Sequence, residues 1–332
     1  MKALKPLVIS LLLVLPAAAQ LPDFYRTVDR LIWVVDDLDR TTQGWQKLGF
    51  TGIEYQGEAE LPALFRGKAG TATLRAASGR IGDVPVHWVQ PISGKDAFSE
   101  FLARNGSGVF SIMHRVPSRE AFDAEVKRMA DLGVGVLQGG EAETEAGTVR
   151  FAFLDTAAQG KYVLGLLHVP GAADLALAPP GNPSGRKVAQ YAFVAKDLDA
   201  VSAYWARLGF PAMTYTHPDM SELRYRGHPG AFDMKLGWQR HGKVTYEWIL
   251  SLKGPNVYED HMKKHGEGVH HLAFEVEDID KEAADWQAKG FPFGMGGAWG
   301  QKGKPGSGRF VYLDTHAIGG IDIELLWSLR AK

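Results

Sequence analysis

Cysteine is missing from all 332 residues, so the chain can form no disulfide, thiolate metal site or thioether lipid anchor. Net charge is nearly missing as well. The 37 Lys and Arg against 38 Asp and Glu leave a formal −1. Without a long-range field or a basic stripe, nucleic acid and anionic membrane are not expected as partners, and a small-molecule substrate is. Low-complexity tracts are absent too, and 45% hydrophobic with 23% charged residues is ordinary globular composition for about two domains. The apolar run at the N-terminus, Leu7 to Leu15, is too short to span a bilayer comfortably. Lys2 and Lys5 precede it and Ala17-Ala18-Ala19 follow. That pattern predicts a signal peptide over residues 1–19, cleaved after Ala19, and a secreted or periplasmic protein with no membrane attachment after cleavage. An uncleaved anchor is the alternative.

What the chain does have is internal repetition. Asp37-Leu38-Asp39 recurs as Asp197-Leu198-Asp199, Leu48-Gly49-Phe50 as Leu208-Gly209-Phe210, and Trp88 as Trp248, always 160 residues on. Phe65-Arg66-Gly67 matches Tyr225-Arg226-Gly227 in the same way. After a small length change, Arg150-Phe151-Ala152-Phe153-Leu154-Asp155-Thr156 pairs with Arg309-Phe310-Val311-Tyr312-Leu313-Asp314-Thr315 at a spacing of 159. Two homologous halves are expected, residues 24–170 and 187–330, joined by a Pro-, Gly- and Ala-rich linker over 171–186.

Each half divides again. Val188 to Lys196 alternates like a half-buried strand, Asp197 can cap a helix carrying Leu198, Val201, Trp205 and Leu208 on one face, and Gly209 stops it. Strand-like runs follow near Glu222 to Arg226, Ala231 to Trp238 and Val244 to Ser251, and the pattern restarts at Val269. The expected fold class is α+β, with four βαβββ modules pairing into two half-barrels.

Four polar side chains interrupt the apolar strands of the second half: Gln190, Glu247, His271 and Glu324. Gln190 and His271 each stand seven residues before the aspartate that opens the next helix, and Glu247 and Glu324 lie on the last strand of each module. Carboxylates inside apolar strands are costly unless paired or ligated to a cation. Two carboxylates, an imidazole and an amide oxygen make a coherent site for one divalent ion, with Zn, Ni, Co, Mn and Fe all allowed. The equivalent positions of the first half are Arg30, His87, Ser111 and Gly165, which do not make a ligand set. Strand alternation sends neighbouring His270 and His271 to opposite faces, leaving His270 to pack outside the site. His228, His241, His261 and His265 fall in helical or turn-like surroundings and are expected at the surface. Trp88 and Trp248 read as matched core residues, and Arg66 and Arg226 as matched ion-pair residues.

The βαβββ duplication resembles the vicinal oxygen chelate superfamily, and Gly266-Glu267-Gly268-Val269-His270-His271-Leu272-Ala273-Phe274-Glu275-Val276 is similar to the metal-ligand strand of methylmalonyl-CoA epimerases and glyoxalases. The resemblance implies Gln190, Glu247, His271 and Glu324 as metal ligands. It also implies a glyoxalase- or epimerase-type lyase or isomerase that moves a proton through an enediolate, with Glu324 as base and Glu247 as its partner. Val194 and Glu267 stand where glutathione-dependent members carry arginine, which argues against a glutathione hemithioacetal. An extradiol-type iron dioxygenase and a non-catalytic binding protein are the competing implications. Gln190 in place of a histidine counts against the dioxygenase.

Overall fold

The computed structural model describes residues 21–144, 147–171, 182 and 184–329. The expected signal peptide and most of the expected linker lie outside the described residues. Helix starts are written locally. Asp37, Asp197 and Asp278 each accept a hydrogen bond from the backbone N–H three residues on, and Gly49, Gly209 and Gly290 leave the helices at φ +93°, +94° and +90°.

In the first half these signals delimit β1 (Arg30–Val34), α1 (Leu38–Lys47), β2 (Glu54–Phe65), β3 (Lys68–Ile81) and β4 (Val84–Ser93). After α2 (Ala97–Asn105), the module repeats as β5 (Gly108–Arg115), α3 (Arg119–Asp131), β6 (Val136–Thr144), β7 (Gly147–Leu154), the helical turn α4 (Ala157–Gly160) and β8 (Val163–His168). The second half follows with β9 (Val188–Val194), α5 (Leu198–Arg207), β10 (Thr214–Thr216), β11 (Met220–Tyr225), β12 (His228–Pro229), β13 (Asp233–His241) and β14 (Val244–Lys253). Its second module comprises α6 (Val257–His265), β15 (Gly268–Glu275), α7 (Ile279–Ala288), β16 (Phe293–Trp299), β17 (Gly308–Asp314) and β18 (Asp322–Ser328). The fold is α+β, as the repeat pattern implies, with two curled sheets.

One strand distinguishes the sheets. In the first half, β2 pairs with both β3 and β6 and closes an eight-stranded barrel. Its counterpart is split by His217-Pro218-Asp219 into β10, which pairs with β13, and β11, which pairs with β16. The ten-stranded second sheet therefore stays open along that seam. Proline lacks the N–H a central strand needs, which suits Pro218 to such a break.

Apolar residues fill the interior of each sheet, and a third cluster, drawn from both halves, fills the space between them. Trp33, Trp45, Trp88, Trp205, Trp248 and Trp286 are all fully buried in this shared core. The halves grip each other reciprocally. Tyr162, just after α4, stacks on Trp205 of α5 at 4.8 Å, while Trp33 of β1 donates to the Gly319 carbonyl at 2.6 Å, in the turn after β17. Arg66 and Arg226 make matched ion pairs with Glu100 (2.9 Å) and Asp260 (2.7 Å).

Gly320 marks the tightest point of this grip. Its φ is +75°, and a Cβ there would run into the Ser107 carbonyl of the other half. Gly320→Ala is expected to cost about 2–4 kcal/mol, read as a lowered melting temperature. Gly303, at φ +78° with open space around it, serves as the control. Its alanine variant is expected to lose only about 1 kcal/mol.

Candidate metal centre

Sheet register sets two rows of residues across the open second sheet. Glu247 on β14 lies opposite Ala192 on β9, which lies opposite His271 on β15. One step along, Gln190 on β9 is opposite Ala273 on β15, which is opposite Glu324 on β18. Each row thus places two polar side chains on either side of an alanine. The fully buried Ala192 and Ala273 leave between those four groups the room that a larger side chain would occupy.

The four groups meet. Gln190 Nε2 is 2.8 Å from Glu247 Oε2 and 3.1 Å from Glu324 Oε2. His271 Nε2 is 3.4 Å and 3.2 Å from the same two oxygens. The contact atoms form a closed ring whose edges all fall near the separation of about 3.0 Å expected for neighbouring donors on one ion with bonds of about 2.1 Å. Turning the Gln190 amide over, which exchanges two groups of nearly the same shape, presents its oxygen to the same point.

His270 departs from the sequence expectation. Val269 pairs with Phe193 and His271 with Ala192, so His270 is one residue too many for the ladder, a β-bulge. The extra residue breaks the alternation, and both imidazoles lie on the cavity side of β15. Their ring centroids are 5.8 Å and 5.0 Å from that of Tyr312. His270 is fully buried rather than packed outside, and its Nδ1 meets His271 Nδ1 at 2.9 Å. It therefore orients His271 with Nε2 toward the carboxylates, as a second-layer partner does for a metal-binding imidazole. His241, His261 and His265 are also buried, against the expectation of exposure, because β13 and α6 pack under the opposite half; His228 alone of the four is exposed.

Electrostatics favour a cation here. Burial first, and then the neighbouring Glu324 charge, raise the Glu247 carboxyl above its ordinary value, with His271 pulling the other way. Burial opposes a charge on His271, but Glu324 and Glu247 outweigh it and lift the imidazole to about 9. The protein's own groups thus draw a proton into the ring when no metal is bound. His271 Nε2 has no well-formed hydrogen bond, and Glu247 and Glu324 are only 5% and 4% exposed. Buried, under-satisfied donors around one point fit a divalent ion.

Above this floor lies a cavity of about 440 Å³ with largely apolar walls, including Met220, Met234, Leu236, Trp299 and Phe310. Tyr258 and Tyr312 line it too, their hydroxyls 3.0 Å apart. The sequence reading passed over both, although Phe98 and Phe153 hold the matching places in the first half. Thr216, Pro218 and Met220 bring the β10–β11 seam to the same cavity.

The first half keeps the two rows and fills them. His87, Ile32 and Ser111 make one, and Arg30, Met113 and Gly165 the other. Ile32 and Met113 replace the two alanines. Arg30 pairs with Asp29 at 2.6 Å and lies 3.1 Å from His87 Nε2, so a fixed guanidinium sits among the positions where the second half gathers carboxylates. A Cβ on Gly165 would lie 2.6 Å from Ser111 Oγ. Among the described residues, these equivalent positions of the first half are filled and present no ligand set.

Residues 189–312 match the family model described as Glyoxalase/Bleomycin resistance protein/Dioxygenase superfamily. Among solved structures, a triple mutant of 4-hydroxymandelate synthase from Streptomyces coelicolor superposes with a TM-score of 0.61 at 15% identity, over 92% of this chain and 93% of that one. A xylose isomerase-like TIM barrel/4-hydroxyphenylpyruvate dioxygenase fusion protein matches with a TM-score of 0.48 at 16% identity, over 96% of this chain and 50% of that one. A catechol 2,3-dioxygenase gives 0.47 at 13%, over 91% and 88%. At 15% identity the first of these likenesses is one of fold, and it spans both halves.

Ion binding must expel the His271 proton, which is held in the metal-free protein up to about pH 9. The apparent affinity of this centre, taken as the difference between wild type and His271→Ala, is therefore expected to rise about tenfold per pH unit below that value and level off above it. Calorimetry in buffers of different protonation enthalpy should read release of about one proton per ion at neutral pH. An affinity independent of pH would place His271 outside the ligand set. Ala192→Ile with Ala273→Met, which copies the first half, is expected to weaken binding by about ten- to a hundredfold with all four donors intact.

Proposed function

We propose, from a second half that carries a domain of the glyoxalase, bleomycin-resistance and dioxygenase superfamily, that this chain is a divalent-metal-dependent lyase or isomerase. Its reaction moves a proton α to a carbonyl on a small oxygenated substrate. The observation that carries this reading is the donor ring itself. Two carboxylates, one imidazole and one amide converge on the floor of an apolar cavity, and one carboxyl is raised above its ordinary value.

A divalent ion bound there supplies Lewis acidity toward adjacent substrate oxygens, worth several kcal/mol at a developing negative charge. The chain's own residues do the rest. Glu324 takes the α proton as base. Glu247, the second carboxylate at the same point, is placed to return a proton to the neighbouring carbon or to the opposite face. Arg240 is the one basic side chain among the residues lining the cavity, steadied by the Trp238 ring 4.7 Å away, and supports a carboxylate on the substrate. A small α-hydroxy or α-keto acid satisfies these demands together. Met234, Leu236 and Phe310 keep water from the reacting carbon. We carry forward export as the setting, supported by the lysines, apolar run and alanines of residues 1–19.

Exchange of the substrate α-hydrogen with D2O, followed by NMR over a panel of small α-hydroxy and α-keto acids, tests the reading. The metal-loaded protein is expected to catalyse exchange, and Glu324→Gln to slow it by about 10²–10⁴-fold. Arg240→Met should raise KM for a carboxylate substrate with little change in kcat. Oxygen uptake that depends on Fe(II), without α-hydrogen exchange, would replace the proposal with a dioxygenase. Ligand binding unaffected by both metal removal and His271→Ala would replace it with a binding protein.

A further inference from the structure

A second group of imidazoles gathers where the two halves meet, behind His270, whose ring lies 5.0 Å from that of His261. His261 and His265 stand four residues apart on one face of α6, and His316 reaches them from the turn His316–Ile318. One nitrogen from each lies within 4.8 Å of the others. His261 and His265 are 3% and 8% exposed.

Their hydrogen bonds decide where the lone pairs point. His265 Nδ1 is 2.6 Å from the Asn105 carbonyl oxygen, which can only accept, so Nδ1 carries the hydrogen and Nε2 the lone pair. That Nε2 faces His316 Nδ1 at 3.1 Å. The other nitrogen of His316 is 3.5 Å from Asp322 Oδ1, a contact that favours hydrogen on Nε2 and leaves a lone pair on Nδ1. With both rings neutral, two lone pairs then face each other at 3.1 Å, a contact that a shared proton or a metal ion between them relieves. Beside them His261 Nδ1 is buried with no hydrogen-bond partner. Burial holds His261 well below its ordinary value and takes His265 down to about 4, so both rings are neutral, the form that ligates.

We propose that His261, His265 and His316 form a second metal site, for a divalent first-row transition ion of the class that prefers imidazole nitrogen: Zn²⁺, Ni²⁺, Co²⁺ or Cu²⁺. The Asn105 carbonyl and the Asp322 carboxylate are its second-layer partners, each fixing the tautomer of one ligand. Its role is structural. Asn105 belongs to the first half and also donates from Nδ2 to the His265 carbonyl at 2.7 Å, so an ion here ties α6 and the turn after β17 to the opposite half. The site takes nitrogen where the first centre takes mostly oxygen, and the two are expected to sort different ions.

The full chain, stripped with chelator, reloaded with ZnCl2 and desalted, tests the site by elemental analysis. About two ions per chain are expected for wild type, and about one each for His261→Ala/His265→Ala and for His271→Ala. Circular dichroism confirms that each variant is folded. His316→Gln, a milder change in the turn after β17, should weaken one class of sites by at least about tenfold and leave the other unchanged. With CuCl2 on the His271→Ala protein, electron paramagnetic resonance should show coupling to imidazole nitrogens, lost in the His261→Ala/His265→Ala/His271→Ala variant. Zinc content unchanged by His261→Ala/His265→Ala and by His316→Gln would overturn the proposal, as would a wild type whose ions all disappear with His271→Ala. Failure of the first centre alone would appear as content unchanged by His271→Ala, so the two readings fail separately.

Discussion

Two carboxylates set side by side in an apolar sheet are tolerable only if positive charge is brought between them. Glu247 and Glu324, nearly out of reach of water, repel each other and can be held only by what converges on them. Everything around them serves that need. Gln190 bridges both, His271 is drawn toward the charged form, His270 aims the ring, and Ala192 and Ala273 withhold the side chains that would fill the gap. The first half meets the same geometry with the opposite solution. It has no carboxylate to satisfy there, and Ile32, Met113 and a paired Arg30 make a packed interior. Loss of the acidic pair removes the reason for the space, and loss of the space removes any use for an acidic pair.

The halves are not independent beads. A common aromatic core lies between the sheets, and each half lays the turn before its last strand against the other half's first module. A donor ring built on central strands of one half is therefore supported from behind by the other. Positional accuracy of this kind is what a metal site requires, since ligands held loosely by a few tenths of an ångström lose both affinity and selectivity. A half without a site of its own still contributes by holding its partner rigid.

Much of this could be read from the chain. The 160-residue spacing exposed the duplication, and polar residues at equivalent module positions singled out Gln190, Glu247, His271 and Glu324, which the structure brings together. What escaped was any feature that depends on an irregularity in the ladder or on contact between halves. His270 falls on the other face from the one expected because a period of two assumes an unbroken strand, and the extra residue breaks the alternation just before His271. A signal was present. Val109 and Phe110 are both apolar ahead of Ser111, a break in alternation that the first half shares. His261 and His265 were expected at the surface because they fall in helical or turn-like surroundings, yet their spacing of four places both on the buried face of α6, His261 against His270 and His265 against Asn105 of the other half.

The interrupted strand opposite β2 has a further meaning. In the second half, the floor that carries the donors comes from β9, β14, β15 and β18, whereas the seam contributes Thr216, Pro218 and Met220 to the cavity wall. The donors and this part of the wall thus lie on separate stretches of chain. Changes to those few residues would alter the cavity wall and leave the four donors in place. In the first half, β2 runs unbroken across the same place and the sheet closes into a barrel with an apolar interior.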